Sequence, residues 1–210
     1  SLAKFLFITA DETNQLTTHH IQQYFEFVLE RIDWKRDVHF YTNTTIDTLD
    51  YSGTSLNSGS KVVFAAYGKK QRELCREVPS LIKELGNAAL CMPGVVAISN
   101  FKFQISNLQE QLSSVISQLS SVAMIVLCDD ANFTAATLNN FLWVSFTRCN
   151  PSHDIYGVDE FIENKHWGCK GPLIIDASIK PHHAPVLEKD AATEKKIDRL
   201  FEKGGSLYGV

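Results

Sequence analysis

Six consecutive apolar residues, Ala123-Met124-Ile125-Val126-Leu127-Cys128, run without polar alternation straight into Asp129-Asp130. A strand with one wet face alternates with a period of two. An unbroken apolar run of strand length therefore asks for cover on both faces, as in the central strands of α/β proteins. The flanks supply that cover. Leu108, Leu112, Val115, Ile116 and Leu119 form a helical stripe before the run, with Asn107 placed to cap it. Leu138, Phe141, Leu142 and Ser145 form another after it, with Thr134 as the expected cap.

The same alternation extends along the chain. Lys4 to Thr9 reads as a buried strand. Ile21, Tyr24, Phe25, Val28, Leu29 and Ile32 then make the clearest helical stripe in the sequence, with Thr17 or Thr18 as its cap. Val38 to Tyr41 and Lys61 to Ala66 are strands, and the polar stretch Thr42 to Ser60 between them reads as a loop. Lys69 to Leu85 is a mixed-charge helical stretch that Pro79 interrupts or restarts. Ala88 to Cys91 and Val95 to Phe103 are strand-like on either side of Pro93-Gly94. Gly157 to Gly171 reads as a loop, Leu173 to Ile175 as a strand, and Ala191 to Glu202 as a last helix. The expected class is α/β, a layered α/β/α domain with a mixed, mostly parallel sheet. With no internal repeat and no linker, residues 1–210 are expected to form one domain.

Several function classes fall away early. The net charge of −4, with acids and bases interspersed, lacks the basic face of a nucleic-acid binder. No apolar run approaches the ~20 residues of a bilayer span. The five cysteines, Cys75, Cys91, Cys128, Cys149 and Cys169, are scattered and form no C-x-x-C. They read as free thiols in a reducing cytoplasm rather than a zinc or redox site. The start at Ser1, without Met, reads as a cut boundary rather than a natural N-terminus. There is no signal peptide, no phosphate loop, no dinucleotide fingerprint and no nucleophile elbow.

Four stretches could carry chemistry. Asp129-Asp130 lies where open α/β sheets gather function, at the C-terminal end of a strand. The pair could hold a hard cation, or it could end the strand and cap the next helix. Arg148, Asn150, Pro151, His153 and Asp154 form a turn after the third helix. There Arg148 could grip a carboxylate or phosphate, or pair with Asp154 to pin the turn. Lys165-His166-Trp167, in a Gly-flanked segment, resembles a binding edge, with a Trp tucked onto the domain body as the alternative. His182-His183 suggests a metal, but no third ligand is spaced to join them, so no metal is expected. Gly68-Lys69-Lys70, at the end of a strand, could hold an anion, which leaves a small nucleotide-binding protein as one alternative. A non-catalytic interaction or oligomerisation module is another.

The order of these motifs resembles a known family. Asp129-Asp130, then Leu142-Trp143 and Thr147-Arg148, then Pro151 and Asp154, is similar to the C-terminal region of UbiD-type decarboxylases. Gly171-Pro172-Leu173-Ile174-Ile175-Asp176-Ala177, followed by Lys180-Pro181, resembles the strand that comes next in that family. The likeness is specific from Ala123 to Pro185 and more diffuse upstream. Two positions depart from the family pattern: Leu119-Ser120-Ser121-Val122 carries no basic residue, and Ala131 stands where a third acid often follows.

The resemblance implies a carboxy-lyase that removes carbon dioxide without oxidation from an aromatic or α,β-unsaturated acid, as in ubiquinone or menaquinone biosynthesis. It implies prenylated FMN and a divalent metal, both held by a preceding flavin-binding split-barrel domain, with none expected on this chain. The flavin-binding domain and further copies in a homo-oligomer are the implied partners. Lys165, His166 and Trp167 would then wall the substrate pocket. Asp129, Asp130, Thr147, Arg148, Asn150, Pro151 and Asp154 would shape a family-type turn. No catalytic residue is identified within the chain.

Overall fold

The computed structural model describes residues 3–209, apart from 13, 15, 18, 54 and 185–189. The chain opens with β1 (Phe5–Thr9), α1 (Ile21–Arg31), β2 (Val38–Thr44) and β3 (Gly59–Ala66). After a short helix α2 (Ser80–Lys83) come β4 (Asn87–Met92), β5 (Val95–Ser99), α3 (Ile105–Ser114), a 3-10 turn over Ile116–Leu119, and β6 (Met124–Leu127). Helices α4 (Ala131–Ala136), α5 (Leu138–Thr147) and α6 (Pro151–Asp154) lead to β7 (Ile155–Gly157). The chain closes with β8 (Glu160–Glu163), β9 (His166–Cys169), β10 (Leu173–Asp176) and α7 (Ala191–Phe201).

The α/β class expected from the alternation is borne out, with strands shared among three sheets. One has the order β1-β3-β2, the largest β4-β5-β6-β10-β7, and β8-β9 is a separate pair. Parallel pairing holds the centre of the five-stranded sheet, where β5, β6 and β10 lie side by side. Its margins β4 and β7 are antiparallel. The three-stranded sheet is also mixed: β1 is parallel to β3, and β2 is antiparallel to it.

The continuous apolar run is explained by alternation between two cores. Met124 and Val126 enter one core with Phe25, Phe64 and Phe141. Ile125 and Leu127 enter the other with Leu108, Leu112 and Ile174. Full burial of each such side chain contributes roughly 1.5–3 kcal/mol. The first core is shared by both larger sheets. Trp34 spans them: its indole Nε1 donates to the Ala123 carbonyl at 3.0 Å, and its ring meets Phe64 edge-on at 5.7 Å.

Helix α1 forms as its stripe predicts, with Phe25, Val28 and Leu29 buried. Its cap position is His20 rather than Thr17, and Thr18 lies outside the described residues. Four further expectations need correction. Lys69 to Leu85 is not a helix beyond Ser80–Lys83. Its backbone groups are taken elsewhere: Gln71 and Arg72 N–H donate to the Glu30 carbonyl, and Cys75 N–H donates to Ser121. The third helix is two helices, because Thr137 is extended and caps α5 while Asp130 caps α4. Helix α3 begins after Gln104, so Asn107 is not its cap. Gly157 to Gly171 is not a loop but contains the β8–β9 hairpin. Asn164 and Lys165 both take positive φ (50° and 67°), the backbone of a two-residue primed turn.

Candidate functional site

Strand register builds the site. β6 and β10 run parallel with Leu127 beside Asp176, so the residues that follow each strand leave the sheet at the same end. Helix α5 returns there and delivers Arg148. Asp129 Oδ2 accepts from Arg148 Nη1 at 2.9 Å and from the Ile179 backbone N–H at 3.0 Å. Asp129 thus ties the end of α5 to the segment after β10.

The Arg148–Asp154 pair is not formed, and the same register explains why. β7 runs antiparallel to β10 with Ile155 opposite Ile175, which sets Asp154 beside Asp176. Two carboxylates together need a cation, and Lys180 Nζ stands 3.4 Å from Asp154 and 3.5 Å from Asp176. Asp154 is buried and also accepts from the Asn150 N–H at 2.6 Å. Burial pushes its carboxyl above the usual range, while the Asn150 N–H and Lys180 draw it back. Asn150 accepts from the Ser60 hydroxyl at 2.5 Å, and that hydroxyl accepts from Ser152 N–H at 2.8 Å, so β3 caps α6 across the fold. Pro151 opens α6, where a missing N–H costs nothing.

Of the family-type turn, Asp129, Thr147, Arg148, Asn150, Pro151 and Asp154 gather here. Asp130 does not face them as a ligand; its carboxylate caps α4 through Phe133 N–H at 3.0 Å. Lys165, His166 and Trp167 lie elsewhere. Lys165 occupies the hairpin turn, and His166 Nε2 contacts the Lys35 carbonyl at 3.1 Å. Trp167 stacks edge-on against Phe40 at 5.4 Å and packs against the shared core. The structure brings none of the three to the cavity described next. Lys70, offered as an anion holder, is engaged by Glu30 and Glu73, each at 2.9 Å. Among the described residues no group of three His, Cys, Asp or Glu could hold a metal, the His182-His183 pair included.

Beside this network lies a cavity of about 660 Å³, within the ~300–1,000 Å³ usual for small-molecule sites. Its polar side holds Lys4, Asp50, Ser52, Arg148 and His183, and its apolar side Leu49, Tyr51, Trp143, Phe146 and Ile179. Lys4 Nζ is held by Asp50 at 3.0 Å, Ser52 Oγ at 2.7 Å and the Thr147 carbonyl at 3.3 Å. The Arg148 guanidinium lies 5.2 Å from the Trp143 ring centroid. Trp143 itself is 52% exposed, an uncommon degree for so large a ring. Sequence reasoning missed Lys4, Asp50 and Ser52 as site residues, because only the pairing of β1 with β3 brings their segments together; His183 was weighed only as a metal ligand, and it reaches the cavity from the segment after β10. Asp176 and Lys180 stood in the family-like run, four residues apart, but their partner Asp154 is visible only through strand register.

An α/β sheet with its polar network at the strand ends and a ligand-sized cavity beside it defines a domain of the pocket-bearing α/β class. Comparison with known proteins makes the assignment narrower. Residues 1–66 match the family described as the 3-octaprenyl-4-hydroxybenzoate carboxy-lyase C-terminal domain, UbiD_C. Over these residues the chain is similar to the C-terminal domain of UbiD-type decarboxylases. The matched segment lies upstream of Ala123 to Pro185, where the motifs are most specific. Relatives span both segments. A protein of Chlamydia pneumoniae, named as a subunit of 4-hydroxybenzoate decarboxylase, is 30% identical over 202 residues, covering 96% of this chain and 34% of that protein. Uncharacterized proteins of Chlamydia caviae and Chlamydia muridarum are 30% and 31% identical over 97% of this chain and 34% of each relative. The chain thus spans about a third of the length of these relatives. A vanillic acid decarboxylase of Sedimentibacter hydroxybenzoicus, in open form, aligns over 79% of this chain and 47% of its own. The identity there is 14% and the TM-score 0.35, too low to add to the assignment.

Proposed function

We propose that this chain is the C-terminal domain of a UbiD-type carboxy-lyase, where it walls the substrate pocket and mediates assembly. The reaction in this reading is non-oxidative decarboxylation of an aromatic or α,β-unsaturated acid, in a route such as quinone biosynthesis. The observation that carries it is the make-up of the cavity. Lys4, Asp50 and Ser52 come from the segment that matches the family, and Trp143, Phe146 and Arg148 from the segment that bears its motifs. Aromatic faces beside cations suit a flat acid. The relative named as part of a decarboxylase supports the same reaction class.

Assembly is supported by α7. All its residues are exposed, and Ile197, Leu200 and Phe201 stand together at helical spacing on its surface. A helix with such a stripe is stabilised by another surface, here a further copy of the chain.

The residues present do not fit prenylated FMN and its divalent metal. Lys4 is saturated by Asp50, Ser52 and a carbonyl, and Lys70 by two glutamates, so these lysines are not free for a flavin phosphate. The reading therefore assigns both groups to a flavin-binding domain outside this chain. Supplied with prenylated FMN and aromatic acids, the isolated chain is expected to release no carbon dioxide. Added to the flavin-binding remainder of the protein, it is expected to restore release. Turnover by the chain alone, or full turnover by the remainder without it, would overturn the reading.

A further inference from the structure

The β8–β9 hairpin is fastened beside β2. Cys169 N–H donates to the Trp34 carbonyl at 3.2 Å, and Trp167 meets Phe40 edge-on at 5.4 Å against the shared core. Side chains alternate along a strand, so the preceding residue of each strand, His39 and His166, takes the opposite face. There the two imidazoles come together, with ring centroids 5.5 Å apart and planes at 54°. His39 is exposed and His166 half-buried, so the pair is open to solvent on a frame held from the core.

Two features of this pair are those of metal ligands. One is spacing. Two imidazoles on one tetrahedral ion, each nitrogen about 2.1 Å from it, bring their ring centroids to about 5 Å. The other is orientation. His166 Nε2 lies 3.1 Å from the Lys35 carbonyl. A carbonyl only accepts, so Nε2 carries the proton and Nδ1 the lone pair. A ligating histidine is commonly held this way, with its second N–H on a carbonyl that fixes tautomer and ring. The His39 ring makes no hydrogen bond among the described residues, which leaves its nitrogens to an ion. Strand register also sets Glu163 directly across from His166, a carboxylate on the same face. Other histidines lack these features. His153 Nδ1 is engaged by Asn150 and Ser152, and His183 Nδ1 accepts from Lys180 N–H and stands among Lys180, Arg148 and Lys4.

We propose that His39 and His166 form a two-histidine site for a zinc-class divalent ion. Solvent completes the coordination, since no third protein ligand is in place among the described residues. Imidazole selects zinc, copper or nickel over magnesium, calcium and manganese, which take oxygen ligands. The bound ion clips the hairpin to β2 and stabilises the folded chain, as a ligand of the native state does.

The test uses the 210-residue chain with zinc chloride as probe and magnesium chloride as control. Imidazole NMR follows each histidine ring. Zinc is expected to shift the His39 and His166 signals together, saturating at one ion per chain, and to raise the thermal midpoint; magnesium is expected to do neither. His39→Ala, at an exposed position, and His166→Gln, which keeps a donor for the Lys35 carbonyl, are each expected to weaken zinc about tenfold or more. His19→Ala, also exposed, is expected to leave zinc binding unchanged. The NMR titration of the unsubstituted chain decides the matter even if a variant fails to fold. Unmoved His39 and His166 signals, zinc shifts confined to the His19-His20 or His182-His183 pairs, an equal response to magnesium, or unchanged zinc affinity in both variants would each overturn the proposal.

Discussion

The two larger sheets are finished to different degrees. In the five-stranded sheet every residue of β5 and β6 is buried, because helices cover one face and the shared core the other. In the three-stranded sheet β1 alternates, and its outward Leu6 and Ile8 are each 46% exposed. β2 likewise turns His39 and Tyr41 outward. One sheet therefore holds the fold, and the other offers surface. The cavity lies at the margin of the second, walled by Lys4 before β1 and the loop after β2, and is closed by residues from the end of the first. Rigid scaffold on one side and a half-open sheet on the other is a common way to place a binding site.

The comparison predicts a steep gradient of mutational cost. Ile125→Ala, fully buried in the five-stranded sheet, should cost about 3–4 kcal/mol in denaturant unfolding, whereas an effect below about 1 kcal/mol would mean that this face is not packed. Asp154→Ala leaves the buried Asn150 N–H without its acceptor and should cost roughly 2–4 kcal/mol. Asp129→Ala, at the half-exposed pair with Arg148, should cost under about 1 kcal/mol in the same assay. Reversal of these two costs would restore Arg148 and Asp154 as partners. Lys165→Gly should stabilise by about 0.5–1 kcal/mol, since the hairpin turn holds this residue at positive φ. Leu6→Ser should fall within about 0.5 kcal/mol of the parent, because its side chain stands outside the core.

A pH series sharpens the same contrast at the cavity. The His183 pKa is lowered from 6.5 to about 4, so the unfolded chain binds this proton more readily than the folded one. Its contribution to stability is complete above about pH 6.5 and is lost as pH falls through about 4. His183→Gln should flatten the stability curve in that window, as read from thermal unfolding at a set of pH values. An unchanged curve would place the imidazole in solvent.

What the sequence made legible follows from locality. The apolar run at Ala123 to Cys128 and the α1 stripe needed only nearest-neighbour periodicity, and both formed as read. Asp130 and Thr137 compete with Thr134 for caps within a few residues, so the helix divided where sequence alone showed one. The site was half legible. Arg148 and Asp154 stood out by type, but their partners depend on which strands are neighbours and in what register, which no local pattern encodes. Lys4 and His183 are 179 positions apart in the chain and meet only because β1 and β10 belong to sheets that share a core. Trp167 shows the converse: a Trp in a Gly-flanked stretch reads as a binding edge until the turn at Asn164 and Lys165 folds it onto Phe40.

The role proposed for the cavity at the margin of the three-stranded sheet is to wall the substrate pocket of a decarboxylase. Steady-state decarboxylation by the longer protein, comparing the parent with Trp143→Ala, tests it most directly. Trp143 is half-exposed, so the variant should fold with little loss of stability. A wall that touches the substrate predicts KM raised several-fold, or kcat lowered, at unchanged thermal stability. Unaltered kcat and KM for every acid that the protein turns over would contradict the account.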